Sequence, residues 1–208
     1  MRLSPEKRYR LMAAVSLYAG VLGACAIVIS YVSRQRLHAP LWEPEHLQLH
    51  TSLFLGMAGL IAGVSVASIL IYWLIGKTNF AQHPMSWVAV AVGYAIMAPF
   101  VTGALMPFSA VFLNLYLGIF DISHMPSALT DAVFRSPHGV FAYGSLALGT
   151  TALAALMFAP GAWLIDTVNA SERVIVGRYG TIALTLGLSS AFGAFALFGP
   201  PFILVKLG

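Results

Sequence analysis

Five stretches of this chain, about 11–33, 51–76, 87–106, 139–165 and 179–205, run for twenty or more residues without a charged side chain. A helix needs about 20 apolar residues to cross a hydrocarbon core about 30 Å thick. Inside that core no water satisfies the backbone, so each stretch must close its own hydrogen bonds as a helix. The expected fold is an all-α, polytopic integral membrane bundle of five transmembrane helices, forming a single domain over residues 1–208. Composition agrees. The chain is 59% hydrophobic and 9% charged, where soluble domains carry about 25% charged residues. That excludes an ordinary soluble enzyme and a disordered chain. It also excludes nucleic acid as a partner: the pI is near 9.4, but the basic residues are sparse and sit at the ends of the apolar runs. The lipid bilayer is the first partner, and bound lipids are expected.

Cys25 stands alone, which rules out an internal disulfide or a CxxC pair. Leu22-Gly23-Ala24-Cys25 follows a basic start and resembles a lipoprotein processing site. The residues after Cys25 stay apolar and complete a span, so an uncleaved signal-anchor helix is expected.

The basic residues set an expected orientation. With the N-terminus inside, Arg2, Lys7, Arg8, Arg10, Lys77, Arg173 and Arg178 are cytoplasmic. Arg34, Arg36, Arg135 and Lys206 are then outside, seven against four. The positive-inside bias favours a cytoplasmic N-terminus, an external C-terminus and the plasma (inner) membrane. The outer loop 107–137 is long. Its apolar part, 108–120, is too short to span and is expected to form an interfacial helix. The rival is that helix three continues through Pro107. Ser136-Pro137 reads as a cap and first-turn proline that open helix four.

Small residues recur at Gly56, Gly59, Gly63 and Ala67, and again at Gly187, Ser190, Gly193 and Ala194. Close helix approach is their expected role; a flat cofactor or lipid chain against the smooth face is the alternative. Trp42, Tyr72, Trp73, Trp87, Trp163 and Tyr179 stand near span ends, as an interfacial aromatic belt does.

The span centres carry no ionisable side chain, which counts against a proton-driven carrier. Chemistry must come from the histidines. His83 falls inside, while His38, His46, His50, His124 and His138 fall outside. His46 and His50 share a helix face at a spacing of four, and His138 stands in the expected first turn of helix four. These histidines can simply bond water, loop carbonyls and headgroups. Alternatively, His50 and His138 are cofactor-binding, as axial ligands of one b-type haem, with Gly139 and Gly144 making room for the ring. In the third reading His46, His50 and His138, with Glu45 or Asp131, bind copper or zinc. Asp121 with His124, and Asp131 with His138, are ordinary loop polar residues rather than acid–base pairs.

Leu49-His50-Thr51-Ser52-Leu53 resembles the second helix of the catalytic subunit of haem-copper oxidases, in the nitric oxide reductase branch. His138-Gly139-Val140-Phe141-Ala142-Tyr143-Gly144 is similar to a later ligand helix of that branch. The resemblance covers about 30 residues and implies His50 and His138 as haem ligands. Val140 stands where the family motif has a second histidine. No histidine cluster remains for a binuclear centre, so the resemblance implies at most one haem and no oxygen chemistry. Phosphate-loop, HExxH and GxSxG patterns are absent, so the chain is not expected to be an enzyme. The expected function is a non-catalytic or electron-carrying subunit of a larger energy-transducing or oxidoreductase membrane complex, with other membrane subunits as partners. The alternatives are a small-solute or lipid transporter not coupled to ions, and a small membrane metalloprotein.

Overall fold

The computed structural model describes residues 4–35, 46–77, 83–171 and 175–205. Side chains are described for 4–30, 51, 53–73, 83–145, 147–171 and 175–196. Helix α1 covers Pro5–Gln35, α2 His46–Lys77, α3 Pro84–Tyr116, α4 Met125–Ala170 and α5 Thr181–Val205. A 3-10 turn, Ile122–His124, precedes α4, and a π-helical turn, Val176–Gly180, precedes α5. All five helices contain a stretch long and apolar enough to cross a membrane. The chain is an all-α, multi-pass membrane protein.

Two expected boundaries change. Residues 108–116 are not an interfacial helix; they continue α3 through Pro107. Helix four does not open at Ser136-Pro137; α4 begins at Met125 and holds Pro137 in its interior. A proline in a helix leaves the carbonyl four residues earlier without its usual donor, and here that carbonyl has a neighbour. The Gly103 carbonyl, four before Pro107, faces the Cα of Gly139, 2.5 Å from where a Cβ would stand. Ser136 does not cap; its hydroxyl donates across to the Ala104 carbonyl at 2.8 Å. Both contacts run between α3 and α4, and single-helix pattern reading does not see them. The turn between α3 and α4 closes on Gly118, with φ +69°. Its N–H bonds the Leu115 carbonyl at 3.1 Å, and that of Ile119 bonds the Asn114 carbonyl at 3.0 Å. This is the Schellman pattern, which favours glycine at the left-handed position.

Helices α1 and α2 meet backbone to backbone. A Cβ on Gly59 would collide with the Gly23 carbonyl, and one on Gly63 would stand 2.5 Å from the Ala19 carbonyl. The small-residue face of α2 is therefore a helix crossing, as expected. Ser68 donates to Ser16 across it at 2.9 Å. In the core the rings of Tyr94 and Phe158 stack at 5.3 Å, and those of Phe158 and Tyr18 at 6.3 Å. Their hydroxyls donate to main-chain carbonyls, Tyr18 to Met157 at 3.0 Å and Tyr94 to Ala19 at 2.9 Å. Each buried phenol thus has a partner, as a dry interior requires.

Helix α5 packs mainly on α1 and is peripheral. Within its apolar window 17% is buried, against 61% for α1. A Cβ on Gly187 or Gly193 would meet open space, and Ser190 and Ala194 are exposed. Among the described residues these four positions leave an open small-residue face on α5.

The end of the bundle that holds the N-terminus is tied by polar contacts. Lys7 Nζ donates to the carbonyls of Ala170 at 3.3 Å and Ser171 at 3.0 Å, capping the negative end of α4. Arg10 Nε donates to Asn169 Oδ1 at 2.7 Å, and Asn169 Nδ2 to the Lys7 carbonyl at 3.0 Å. Trp87 Nε1 donates to Asp166 Oδ2 at 3.0 Å, with both residues buried. Trp87 is therefore no belt residue, whereas Tyr72, Trp73, Trp163 and Tyr179 are exposed as a belt requires. Lys7→Met should cost about 0.3–1 kcal/mol, read as a small fall in melting temperature in detergent.

Candidate functional site

The cavity of interest lies at the opposite end, beside the α3–α4 turn. It encloses about 670 Å³ between α1–α2 and α3–α4, a size usual for small-molecule sites. Ile27 and Ser30 of α1 and Leu55 of α2 form one side. Met106, Pro107, Ala110, Val111 and Asn114 of α3 form another. Helix α4 supplies Ala128, Asp131, Ala132, Arg135, His138, Tyr143 and Ala147. Spacings of four and three place Asp131, Arg135 and His138 on one face of α4.

These three side chains are exposed and make no hydrogen bond or ion pair with another described residue. Asp131 and Arg135 could pair along the helix, but do not. Their hydrogen-bonding capacity is open to the cavity. Asn114 faces them from α3. Apart from the hydroxyls of Ser30 and Tyr143 the rest of the lining is apolar, so the charged side chains stand on α4 while the α1, α2 and α3 walls are largely apolar.

His138 lies here, but not in the first turn of α4; it is three and a half turns in, because the helix starts at Met125. Gly139 and Gly144 do not open space for a ring. Gly139 packs on the Gly103 carbonyl, and Gly144 on Pro99 and Phe100. The glycines serve the α3–α4 crossing, a role that one helix's sequence cannot distinguish from room for a ligand. His46 and His50 fall in the first two turns of α2; their side chains, and Glu45, lie outside the described residues. His50 stands one turn before Phe54, whose ring meets that of Tyr116 at 5.1 Å. The start of α2 is thus at the same end as the cavity.

Among the described residues, no three His, Cys, Asp or Glu side chains gather to hold a metal. Asp131 and His138 share the cavity wall, two turns apart. His124 is exposed at the α3–α4 turn, within 3.3 Å of the Ser123 hydroxyl. Asp121 accepts the His124 N–H through its main-chain carbonyl at 2.9 Å, so the two form a turn.

Sequence reading missed the polar ties at the other end. Asp166 lies one residue past the apolar run that defined helix four. The signal was present: Asp166 and Asn169 are three apart at a helix end, and so share a face. Arg135 was likewise read only as a loop charge. It became a wall residue once α4 was extended outward.

Against protein-family models, curated proteins and solved structures, the chain finds no match.

Proposed function

We propose that this chain is a non-catalytic or electron-carrying integral membrane subunit of a larger membrane complex, of the energy-transducing or oxidoreductase class. The supporting observation is that α4, and with it the end of the α3–α4 hairpin, is too long for a bilayer. At 33 and 46 residues α3 and α4 measure about 50 Å and about 69 Å. Tilted by about 40°, the upper range for membrane helices, α4 still rises about 53 Å. Twenty residues from the Trp87–Asp166 contact reach Pro107 on α3 and about residue 146 on α4. The excess therefore stands at the α3–α4 turn, beside the charged wall. Large apolar side chains are bare on that overhang: Ile119 is 65% exposed, Ile122 73% and Phe134 78%. Lipid tails do not reach there, and bare apolar surface in water marks an interaction site. The open small-residue face of α5 supports the same reading within the bilayer.

A photocrosslinking residue in place of Phe134, activated in the native membrane, tests this. One discrete adduct with another polypeptide is expected. A chain that never crosslinks and purifies as a monodisperse monomer would sink the proposal.

The sharper form of the reading is a b-type haem held by His50 and His138. It is supported by His138 on the cavity wall and by the start of α2 at the same end. The packing of Gly139 and Gly144 against α3 weighs against it. A reduced-minus-oxidised spectrum of the purified protein decides. Soret and alpha bands lost in both His50→Ala and His138→Ala carry it; no band and no stoichiometric metal remove haem, copper and zinc together.

A further inference from the structure

The cavity wall has an arrangement that neither the subunit reading nor the haem reading uses. Asp131 and Arg135 stand one helical turn apart, about 6 Å along the axis, with opposite charges and no partner among the described residues. His138 follows three residues on, and each tautomer of a neutral imidazole carries one N–H donor. Ile27, Leu55 and Ala147 complete the apolar side. Each of these belongs to a candidate membrane span, and Ala147 is the residue at which that of α4 begins. One end of the cavity is therefore at the level of the bilayer, and the α4 wall that carries Asp131, Arg135 and His138 precedes the span of that helix.

We propose that this cavity seats a zwitterionic phospholipid whose head carries a primary ammonium. Arg135 and His138 take its phosphate oxygens, Asp131 takes the ammonium, and Ile27, Leu55 and Ala147 take an acyl chain. The charge order selects the head. A lipid with only a phosphate would bring its negative charge within a turn of Asp131. A trimethylated ammonium has no N–H to donate to a carboxylate, whereas a primary ammonium has three. The apolar side selects a lipid over a free phosphoethanolamine. Arg135 is 12 residues, about 18 Å along the helix, from Ala147. The head is thus held above its neighbours in the bilayer, and the chain crosses the interface inside the cavity.

The test uses the full chain in detergent micelles, stripped of lipid. Phosphatidylethanolamine, phosphatidylglycerol or phosphatidylcholine is then added at equal concentration, and native mass spectrometry reads what stays bound. Retention of one phosphatidylethanolamine is expected, with about fivefold preference over the other two. Asp131→Asn should abolish the preference, Arg135→Gln should lose retention, and Arg135→Lys should restore part of it. Both positions are exposed, and an unchanged size-exclusion profile confirms folding. Equal retention of the three lipids overturns the proposal, as does a preference untouched by Asp131→Asn. Displacement by equimolar glycerophosphoethanolamine overturns the role of the chain, and a haem Soret band from this cavity overturns the site. Phe134 does not line the cavity, so crosslinking there reports on the subunit reading separately.

Discussion

Replacing Gly59 by leucine is expected to separate α1 from α2 and to destabilise the bundle by about 3 kcal/mol or more. The reason is contact between main chains rather than glycine's flexibility. A Cβ at Gly59 would meet the Gly23 carbonyl, and behind it the Ile27 side chain at 2.9 Å. Gly63 stands one turn further along the same face, with Gly20 Cα 2.8 Å from its own Cβ position. Main chain cannot rotate away as a side-chain tip can, so the helices must part. In lipid no hydrophobic effect draws them back, because tails cover leucine as well as a helix does; close packing carries the association. Thermal unfolding in detergent, followed by size exclusion, should show a fall on the order of 10 °C. Gly187→Leu on α5 provides the contrast. Its Cβ position is open, so little change is expected in the isolated chain.

Trp87→Ala should be the second severe substitution, at about 3–5 kcal/mol. Trp87 is 1% exposed and belongs to the core cluster with Leu11, Val15 and Ile165. Its removal leaves a void and takes the indole N–H from the buried Asp166 carboxylate. Trp87→Phe separates the two effects. It keeps most of the volume and loses only the hydrogen bond, for about 1–3 kcal/mol. A phenylalanine variant as stable as the parent would show that the Trp87–Asp166 contact contributes nothing. The loss should be present in Asp166→Ala too, and the double variant should cost less than the sum, because the two residues touch.

The legible part of the fold was what apolar length alone specifies. Five charge-free runs became five helices, because a dry backbone has one local solution. The Gly59–Gly63 face was legible as a crossing, because small residues at a spacing of four have few other uses in lipid. The stretch 107–137 was not. Pro107 and Pro137 are strong breakers when read along one chain, and here each lies within a continuous helix. Gly103, Gly139 and Ser136 meet across the α3–α4 contact, with residues 32–41 apart in sequence, and no local pattern contains that pairing. The site was legible by half. His138 could be singled out as a residue type, but its companions could not. Arg135 and Asp131 became its neighbours only because α4 starts at Met125, twelve residues before the Pro137 that was expected to open it.

The sequence by itself determined that this protein lives in a bilayer, how many times it crosses and which segments do so. Those follow from transfer of apolar side chains and satisfaction of the backbone within each helix, and both are local. The tertiary structure decided which glycines meet glycines, that Trp87 faces Asp166 rather than the interface, and that α3 and α4 run on through Pro107 and Pro137 as one long hairpin. It also decided that an acid, a base and a histidine stand on the wall of a cavity with no partner among the described residues. Those depend on which helix lies beside which. In lipid that choice rests on shape and on a few polar contacts between helices, which do not register in the hydropathy of any one of them.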